Sequence, residues 1–426
     1  MIKVSLARLK LFTIKRPVKH PFVHQNKSVN KRFVKPSLIW YYPHLKLWQG
    51  GTRYIADLSA KLKDKYKINI VTSSTNQQLT KYFQDKGVFI INLNIPSTNS
   101  PFFWILSPLW IVIAIIKTLS IKADIYVATL FPSTVIMAFC SLIKDLPLIH
   151  FCYEPVPWIH NNNYISQHKL INRFIFTVIS ICFKKIDVWS TRKAKVTITL
   201  DEYKSKLIKD VYQVNPKVIS VGIDSRHFRP INNKNNIYFN RYKDKMIILH
   251  STDYTPIKRT NEVLRIFSIV KKVVNDSHLL ITSTRTGVRE EKELITLSRS
   301  LGIDSSTEFL GTIEYNKLPH IYNIAKCYLS LSTEPMTATN LPVKEALMCG
   351  TFAVRTKTGT DDVINNKTGY IVDPNNQTDL VRKISLLLNR PDRSIKEKIK
   401  IRNTIINKYR WINVAQRFER HIKPYL

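Results

Sequence analysis

The stretch SLSTEPMTATNLPVKEALMCGTFAVRTKTGTDDVINNKTGYIVDP (330–374) decides how the whole chain reads. It takes in most of one apolar run, YLSLST (328–333), then a helix after Leu341-Pro342, then a second run, TFAVRT (351–356). Apolar strand, helix and apolar strand in that order form the unit of a sheet covered on both faces. Upstream the rhythm continues through KMIILHS (245–251), a helix to about residue 274, HLLITST (278–284), a helix over 289–301 and TEFLG (307–311). An earlier series has SLIWYYP (37–43), the amphipathic helix TRYIADLSAKLKDKY (52–66), KINIVTSS (67–74), GVFIINLNI (87–95), DIYVATL (124–130) and PLIHFCYE (147–154). Between the two series lies NPKVISVGIDSRHFRPINNKNN (215–236), where Pro and Asn cluster as in a linker. The pattern predicts an α/β fold of two doubly wound, Rossmann-like domains facing a cleft.

Length and composition agree. A chain of 426 residues exceeds one core at about 150 residues per domain. An apolar content of 44% excludes wholesale disorder. The five cysteines (Cys140, Cys152, Cys182, Cys327, Cys349) never approach a CxxC spacing, which argues against a disulfide framework or a zinc knuckle and suits a reducing compartment. The N-terminus has no uninterrupted apolar stretch of signal-peptide length, so a cytoplasmic location is expected.

Charge is the unusual feature. Lys plus Arg number 66 against 30 Asp plus Glu, a net +36. Residues 1–230 hold 34 basic and 11 acidic side chains, a net +23, and the remainder 32 and 19, a net +13. Such a surface seeks a polyanion: nucleic acid, an anionic membrane or phosphorylated substrates. A Lys- and Asn-rich background explains many lysines but not so few acids at one end. Residues 1–36 carry ten cations and no acid, interrupted by Pro17, Pro21 and Pro36, and read as a poorly ordered basic arm. The most apolar stretch, PFFWILSPLWIVIAII (101–116), spans about 24 Å as a helix. That is short of a ~30 Å hydrocarbon core, and Pro108 interrupts it. It reads as a helix that is buried or dips one face into a membrane surface.

The residues of 330–374 also resemble a family signature. Leu341-Pro342, Glu345-Ala346, Cys349-Gly350-Thr351, Gly369 and Asp373-Pro374 stand at spacings similar to those of retaining glycosyltransferases of family 4, a GT-B group within glycosyl transferases group 1. VISVGIDSRHFRP (218–230) resembles that family's interdomain segment, and EFLGTIEYNKLPHIYNIAKCYLSLS (308–332) the elements before its donor loop. The likeness covers about residues 37–426 and is strongest over 308–374. It implies an acceptor-side domain over 37–228, joined by a returning helix over 405–426, and a donor domain over 229–404. Trp411 would anchor the last helix, NKYRWINVAQRFERHI (407–422), on the first domain.

The resemblance also assigns residues. Glu345, on the first turn after Leu341-Pro342, would accept hydrogen bonds from the donor ribose, with Asn340, Leu341, Pro342, Gly311 and Thr312 lining the donor site. Lys258 and Arg259, in HSTDYTPIKRTNEVL (250–264), would meet the phosphates. Gly50 and Gly51, which leave bare backbone before a helix, would lie on the acceptor side with Tyr153, Glu154 and His150. Read without the resemblance, Glu345 is a helix-start carboxylate favoured by the macrodipole, Lys258 and Arg259 are solvated cations, and His150 and His160 are core histidines. Three positions depart from the family pattern. Thr337 stands where the first of two glutamates belongs, with Glu334 nearby as a substitute. Asp253 replaces a phosphate-binding Arg, and Tyr153 replaces a histidine before Glu154-Pro155.

The implied activity moves a sugar from a nucleotide donor, such as a UDP- or GDP-sugar, to a hydroxyl of a glycan or lipid-linked acceptor with retention, in cell-surface polysaccharide synthesis. No metal or cofactor is expected, since no DxD and no clustered His/Cys pattern occurs. The basic N-terminal half points to a peripheral enzyme on the cytoplasmic face of an anionic membrane. Thr337 keeps open a catalytically degenerate partner protein. A nucleic-acid binder would use the charge, but no RNP, zinc-finger or homeodomain pattern is present, and no nucleic-acid partner is expected.

Overall fold

The computed structural model describes residues 35–46, 50–96, 101–332, 340–357 and 362–426. The basic arm apart from its last two residues, and the candidates Glu334 and Thr337, lie outside the described residues. The first sheet has seven parallel strands: β1 (Ser37–Tyr41), β2 (Lys67–Thr72), β3 (Phe89–Asn92), β4 (Ile125–Ala128), β5 (Leu148–Phe151), β6 (Val196–Thr199) and β7 (Lys217–Val218). Their order is β3-β2-β1-β4-β5-β6-β7. The second sheet has β8 (Met246–Thr252), β9 (Ser277–Ser283), β10 (Thr307–Gly311), β11 (Cys327–Ser330), β12 (Phe352–Thr356) and β13 (Gly369–Val372), ordered β10-β9-β8-β11-β12-β13. Each chain path runs out to one edge, returns, and continues on the other side of its first strand. Each sheet therefore has a switch point, β1/β4 in the first and β8/β11 in the second, where ligands bind open α/β sheets.

Side-chain alternation places the cores. Leu38 and Trp40 of β1 enter one hydrophobic cluster, Ile39 and Tyr41 another on the opposite face. The helices that matter for the site are α1 (Gly50–Leu62), α2 (Ser107–Leu119), α3 (Ser133–Lys144), α4 (Leu170–Arg192), α5 (Glu202–Tyr212), α6 (Thr260–Val273), α7 (Leu341–Met348), α8 (Ile395–Tyr409) and α9 (Trp411–Ile422).

Two expected helices are broken, each for a local reason. The apolar stretch over 101–116 divides into Pro101–Ile105 and α2, because Pro108 cannot continue the ladder to the carbonyl four residues back. α2 is buried along Ile111, Ala114 and Thr118 and exposed along Leu109, Val112 and Ile116, so it is a half-covered flank. The segment 407–422 breaks at Arg410, whose backbone is extended (φ −66°, ψ 138°), and the last helix starts at Trp411. Trp411, Val414, Phe418 and Ile422 join Trp40 and Tyr54 in the first sheet's core, with Phe418 stacked 5.5 Å from Trp40. Gly222 lies under this crossing, where a Cβ would stand 2.2 Å from the Trp411 ring. Beside it, the Ile223 amide donates to the Tyr409 carbonyl at 2.6 Å. Among the described residues no helix is long and apolar enough to cross a membrane.

Candidate functional site

The two switch points meet through one arginine. Arg53, in the first turn of α1 after β1, lies 3.8 Å from Glu345 on α7, which follows β11. It also donates to the Tyr315 hydroxyl at 2.6 Å, and its guanidinium carbon stands 4.6 Å from that ring's centre. Asp57, one turn on, is 3.6 Å from Arg53 and pairs with Lys86 at 2.6 Å. Arg53, Asp57 and Lys86 line, with Gln78, Tyr82, Asp224 and Tyr315, a cleft of about 550 Å³.

Glu345 is 5% exposed and accepts from the Tyr322 hydroxyl at 2.9 Å. Burial raises its carboxyl above the usual range, against the pull of Arg53 and Tyr322. It stands in the second turn of α7 rather than the first expected from sequence. Its neighbour Lys344 turns inward instead, 2.9 Å from Asp362, whose other oxygen is 2.5 Å from Arg355. This buried ion cluster fixes how α7 sits and so where Glu345 faces.

The loop after β8 carries the candidate phosphate cations. Lys258 closes a single turn of 3-10 helix, Arg259 adopts φ +50°, and α6 begins at Thr260. Both cations are half-buried, and among the described residues neither is held by a hydrogen bond or ion pair. Asp253 begins the same loop. Its carboxylate takes the Thr255 hydroxyl at 2.5 Å and the Thr255 amide at 3.0 Å. Burial would raise its pKa, but these bonds and Lys258 hold it below the usual range. Arg285, from the loop after β9, donates to the Asp253 carbonyl at 3.2 Å and adds a third cation there.

Residues 233–407 match the family described as Glycosyl transferases group 1. Over 189 residues the chain is 24% identical to a lipopolysaccharide 1,2-N-acetylglucosaminetransferase of Salmonella typhimurium, a match covering 42% of this chain and 49%, about half, of that protein. Among solved structures it is similar to Anabaena HepE in complex with UDP (TM-score 0.71, 14% identity, 91% of this chain and 100% of that one). It is likewise similar to a glycosyltransferase of Rickettsia africae (TM-score 0.69, 19% identity, 91% and 97%). The fold is GT-B.

Within this GT-B frame the remaining sequence candidates separate into two groups. Asn340 is buried, with φ +32° and its amide donating to the Ser330 hydroxyl at 3.0 Å, so it shapes the entry to α7. Leu341 packs against the cores of both sheets, and Pro342 sits in the first turn of α7. Gly311 ends β10 at φ +64°, where a Cβ would press on Thr286 at 2.7 Å, and Thr312 beyond it is exposed. These residues lie at the carboxyl edge of the second sheet with Glu345.

The acceptor-side candidates are less convergent. Gly50 opens α1 with space around it, but Gly51 is packed, since a Cβ there would meet Tyr42 and Tyr153 at 3.0 Å. Tyr153 donates to the Gly51 carbonyl at 3.0 Å and is held by packing. Glu154 pairs with Lys204 at 2.5 Å. His150 is a correction to the sequence expectation. It lies inside β5, 3% exposed, and burial pushes its pKa down to about 4, so it is a neutral core histidine. His160 instead meets Asp187 at 2.7 Å, and Tyr212 donates to the same oxygen at 2.8 Å. Near it Glu154, Asn161, Tyr164, Gln167 and Lys204 line a second cavity of about 580 Å³. Among the described residues no group of three or more His, Cys, Asp or Glu gathers that would hold a metal ion.

Sequence reading missed Arg53, Tyr315, Tyr322 and Arg285. Arg53 had a signal: it is the cation just after Gly50-Gly51 in a chain otherwise poor in glycine.

Proposed function

We propose that this protein transfers a sugar from a nucleotide-sugar donor to a hydroxyl of a glycan or lipid-linked acceptor, with retention of anomeric configuration. It would act as a peripheral enzyme of cell-surface glycan synthesis on the cytoplasmic face of a membrane. The observation that carries the reading is Glu345, a buried carboxylate at the second switch point, met by Tyr322 from its own domain and Arg53 from the other. A carboxylate there suits both hydroxyls of a donor ribose. Lys258, Arg259 and Arg285 would face the diphosphate. As the bond from the anomeric carbon to the β-phosphate oxygen breaks, their charge stabilises the departing diphosphate. The acceptor oxygen bonds to the anomeric carbon on the same face, and its proton passes to the leaving phosphate, so no metal enters the scheme. HepE has been solved with UDP, and the Salmonella relative is named for transfer to lipopolysaccharide. The first supports a UDP-sugar as the first donor to try, and the second a glycan acceptor.

Calorimetry with UDP tests this. Glu345→Ala should weaken binding by ~1.5–3 kcal/mol, roughly 10- to 150-fold. Unchanged affinity in a folded variant would remove Glu345 from the donor site. Lys258→Ala and Arg259→Ala should lower turnover more than UDP affinity, because they meet charge that develops on the leaving group. Thr337 and Asp253 favour a second reading, a partner protein without turnover. UDP binding with no sugar transfer or donor hydrolysis would select it.

A further inference from the structure

α4 leaves an unusual surface uncovered. Leu170, Ile171, Phe174 and Ile181 on it are 71–83% exposed. Ile171, Phe174, Ile175, Val178 and Cys182 recur three or four residues apart, which puts them on one face at about 100° per residue. Lys185, Trp189 and Arg192 continue the same row. With Lys184, Val188 and Lys193 they line a groove of about 650 Å³ that holds four cations and no carboxylate. α4 is thus an apolar row that turns into a basic one along a single face. A second exposed row, Ile105, Leu109, Val112 and Ile116, runs along α2 and the short helix before it. α4 meets that short helix where Trp104 stands 5.7 Å from Phe183.

Single exposed apolar side chains are ordinary, but rows of them mark an interface. An occupant that offers hydrocarbon next to a dense layer of anions matches both halves of the face. We infer that α4 lies in the plane of an anionic bilayer, its apolar half at the acyl boundary and its basic half among headgroup phosphates. This rests on the reading that the acceptor is presented at a membrane, and it names the acceptor's class. The cavity lined by Asn161, Tyr164 and Gln167 ends three residues before Leu170. That places the cavity beside the start of α4, which suits the saccharide head of a lipid-linked acceptor.

Vesicle flotation of the full chain decides the matter, using phosphatidylcholine vesicles with and without phosphatidylglycerol. The wild type should float only with the anionic vesicles. Ile171→Glu with Phe174→Glu, both on solvent-exposed positions, should cut the bound fraction about tenfold, and Lys185→Glu with Lys193→Glu should weaken binding most at low salt. Cys182 gives an independent reading, since the other four cysteines are buried. An environment-sensitive fluorophore on it should shift to the blue on anionic vesicles. Flotation that ignores the apolar pair, a label that does not shift, or no flotation at all overturns the inference. So does a wild-type dimer in ultracentrifugation that the same pair dissociates, because the row would then be covered by a second copy. UDP affinity measured on the same samples separates the two readings: it should not change in the α4 variants, and its absence in the wild type would defeat the donor site without touching the flotation result.

Discussion

The two halves share one strand order yet treat their outer helices differently. Around the second sheet, exposed large apolar residues are dispersed, as at Val273, Ile364, Leu386 and Ile399. Around the first, they crowd onto α2, α3 and α4, including Leu142 and Ile143 of α3. Net charge does not separate them: apart from the arm over 1–36, residues 37–230 hold 24 basic and 11 acidic side chains, +13, the same as the rest. The second half covers the apolar faces of its outer helices more evenly, whereas the first leaves rows of large apolar side chains exposed on its flank. One scaffold has thus been finished in two ways.

Several substitutions break or sharpen this contrast. The largest effect is expected at the crossing. Trp411→Ala should cost about 3–5 kcal/mol, as for a truncated buried aromatic. The first half should unfold before the second in denaturant, because the core it shares with α9 is the one damaged. A single unshifted transition would show that α9 is not needed there.

A histidine from each half comes next. His150 in β5 and His250 in β8 are both held down to about 4 by burial, from an ordinary 6.5. A lowered histidine pKa stabilises the fold fully above 6.5, and that stability is lost as the pH falls towards 4. His250 donates from Nδ1 to the Leu329 carbonyl (2.9 Å) and its Nε2 meets the Thr260 hydroxyl (3.1 Å), whereas the buried Nδ1 of His150 has no partner among the described residues. His150→Leu should therefore be near neutral at pH 7.5 and about 2 kcal/mol more stable than wild type at pH 5. His250→Leu should destabilise at pH 7.5, where its two hydrogen bonds are lost, and less at pH 5, where relief from protonation offsets part of that loss. Unfolding curves at the two pH values check the pair.

Glu345→Gln should act in the opposite sense to most site substitutions. Burial raises the Glu345 carboxyl, so the folded state holds its proton at a pH where the unfolded chain has released it. Stability from this group falls as the pH rises from the unfolded value through the raised one. The variant should gain stability over wild type between pH 4.5 and 7 while binding UDP less well. A gain that does not grow with pH would assign the effect to packing. The smallest change is expected at the exposed row of α4, where Ile171→Ser and Phe174→Ser should alter stability by less than about 0.5 kcal/mol. A larger loss in thermal unfolding would mean that the row is part of the core.

What the sequence reveals follows the range of the interaction. β8 and β9 fall within a residue of the runs read as 245–251 and 278–284, because a doubly covered strand carries its signal in its own apolar residues. The Leu341-Pro342 start of α7 is equally local. The break at Arg410 was not legible, since no Pro or Gly marks it and the kink is set by Gly222 and Trp411 meeting from segments far apart. Tyr322, and the partner of Arg53, were hidden for a similar reason. The pairing of Arg53 and Tyr322 with Glu345 joins three segments, and no spacing in the chain encodes it. His150 carried two readings, a cleft by resemblance and a core by its residues, because a histidine inside an apolar strand looks the same in either; the structure has it in the core.

The chain passes between its halves at two places, after β7 and at Tyr409–Trp411, and these passages lie against each other with Ile223 bridged to Arg410. Two adjacent connections define a line rather than a point. A single flexible tether would let one half swivel and slide over the other. A paired one leaves mainly rotation about that line, as in a door hung on two pins. Arg53 and Glu345 are then fixed points on opposite leaves. Any opening of the cleft has to part them along one arc, and closing returns them to the same register each time.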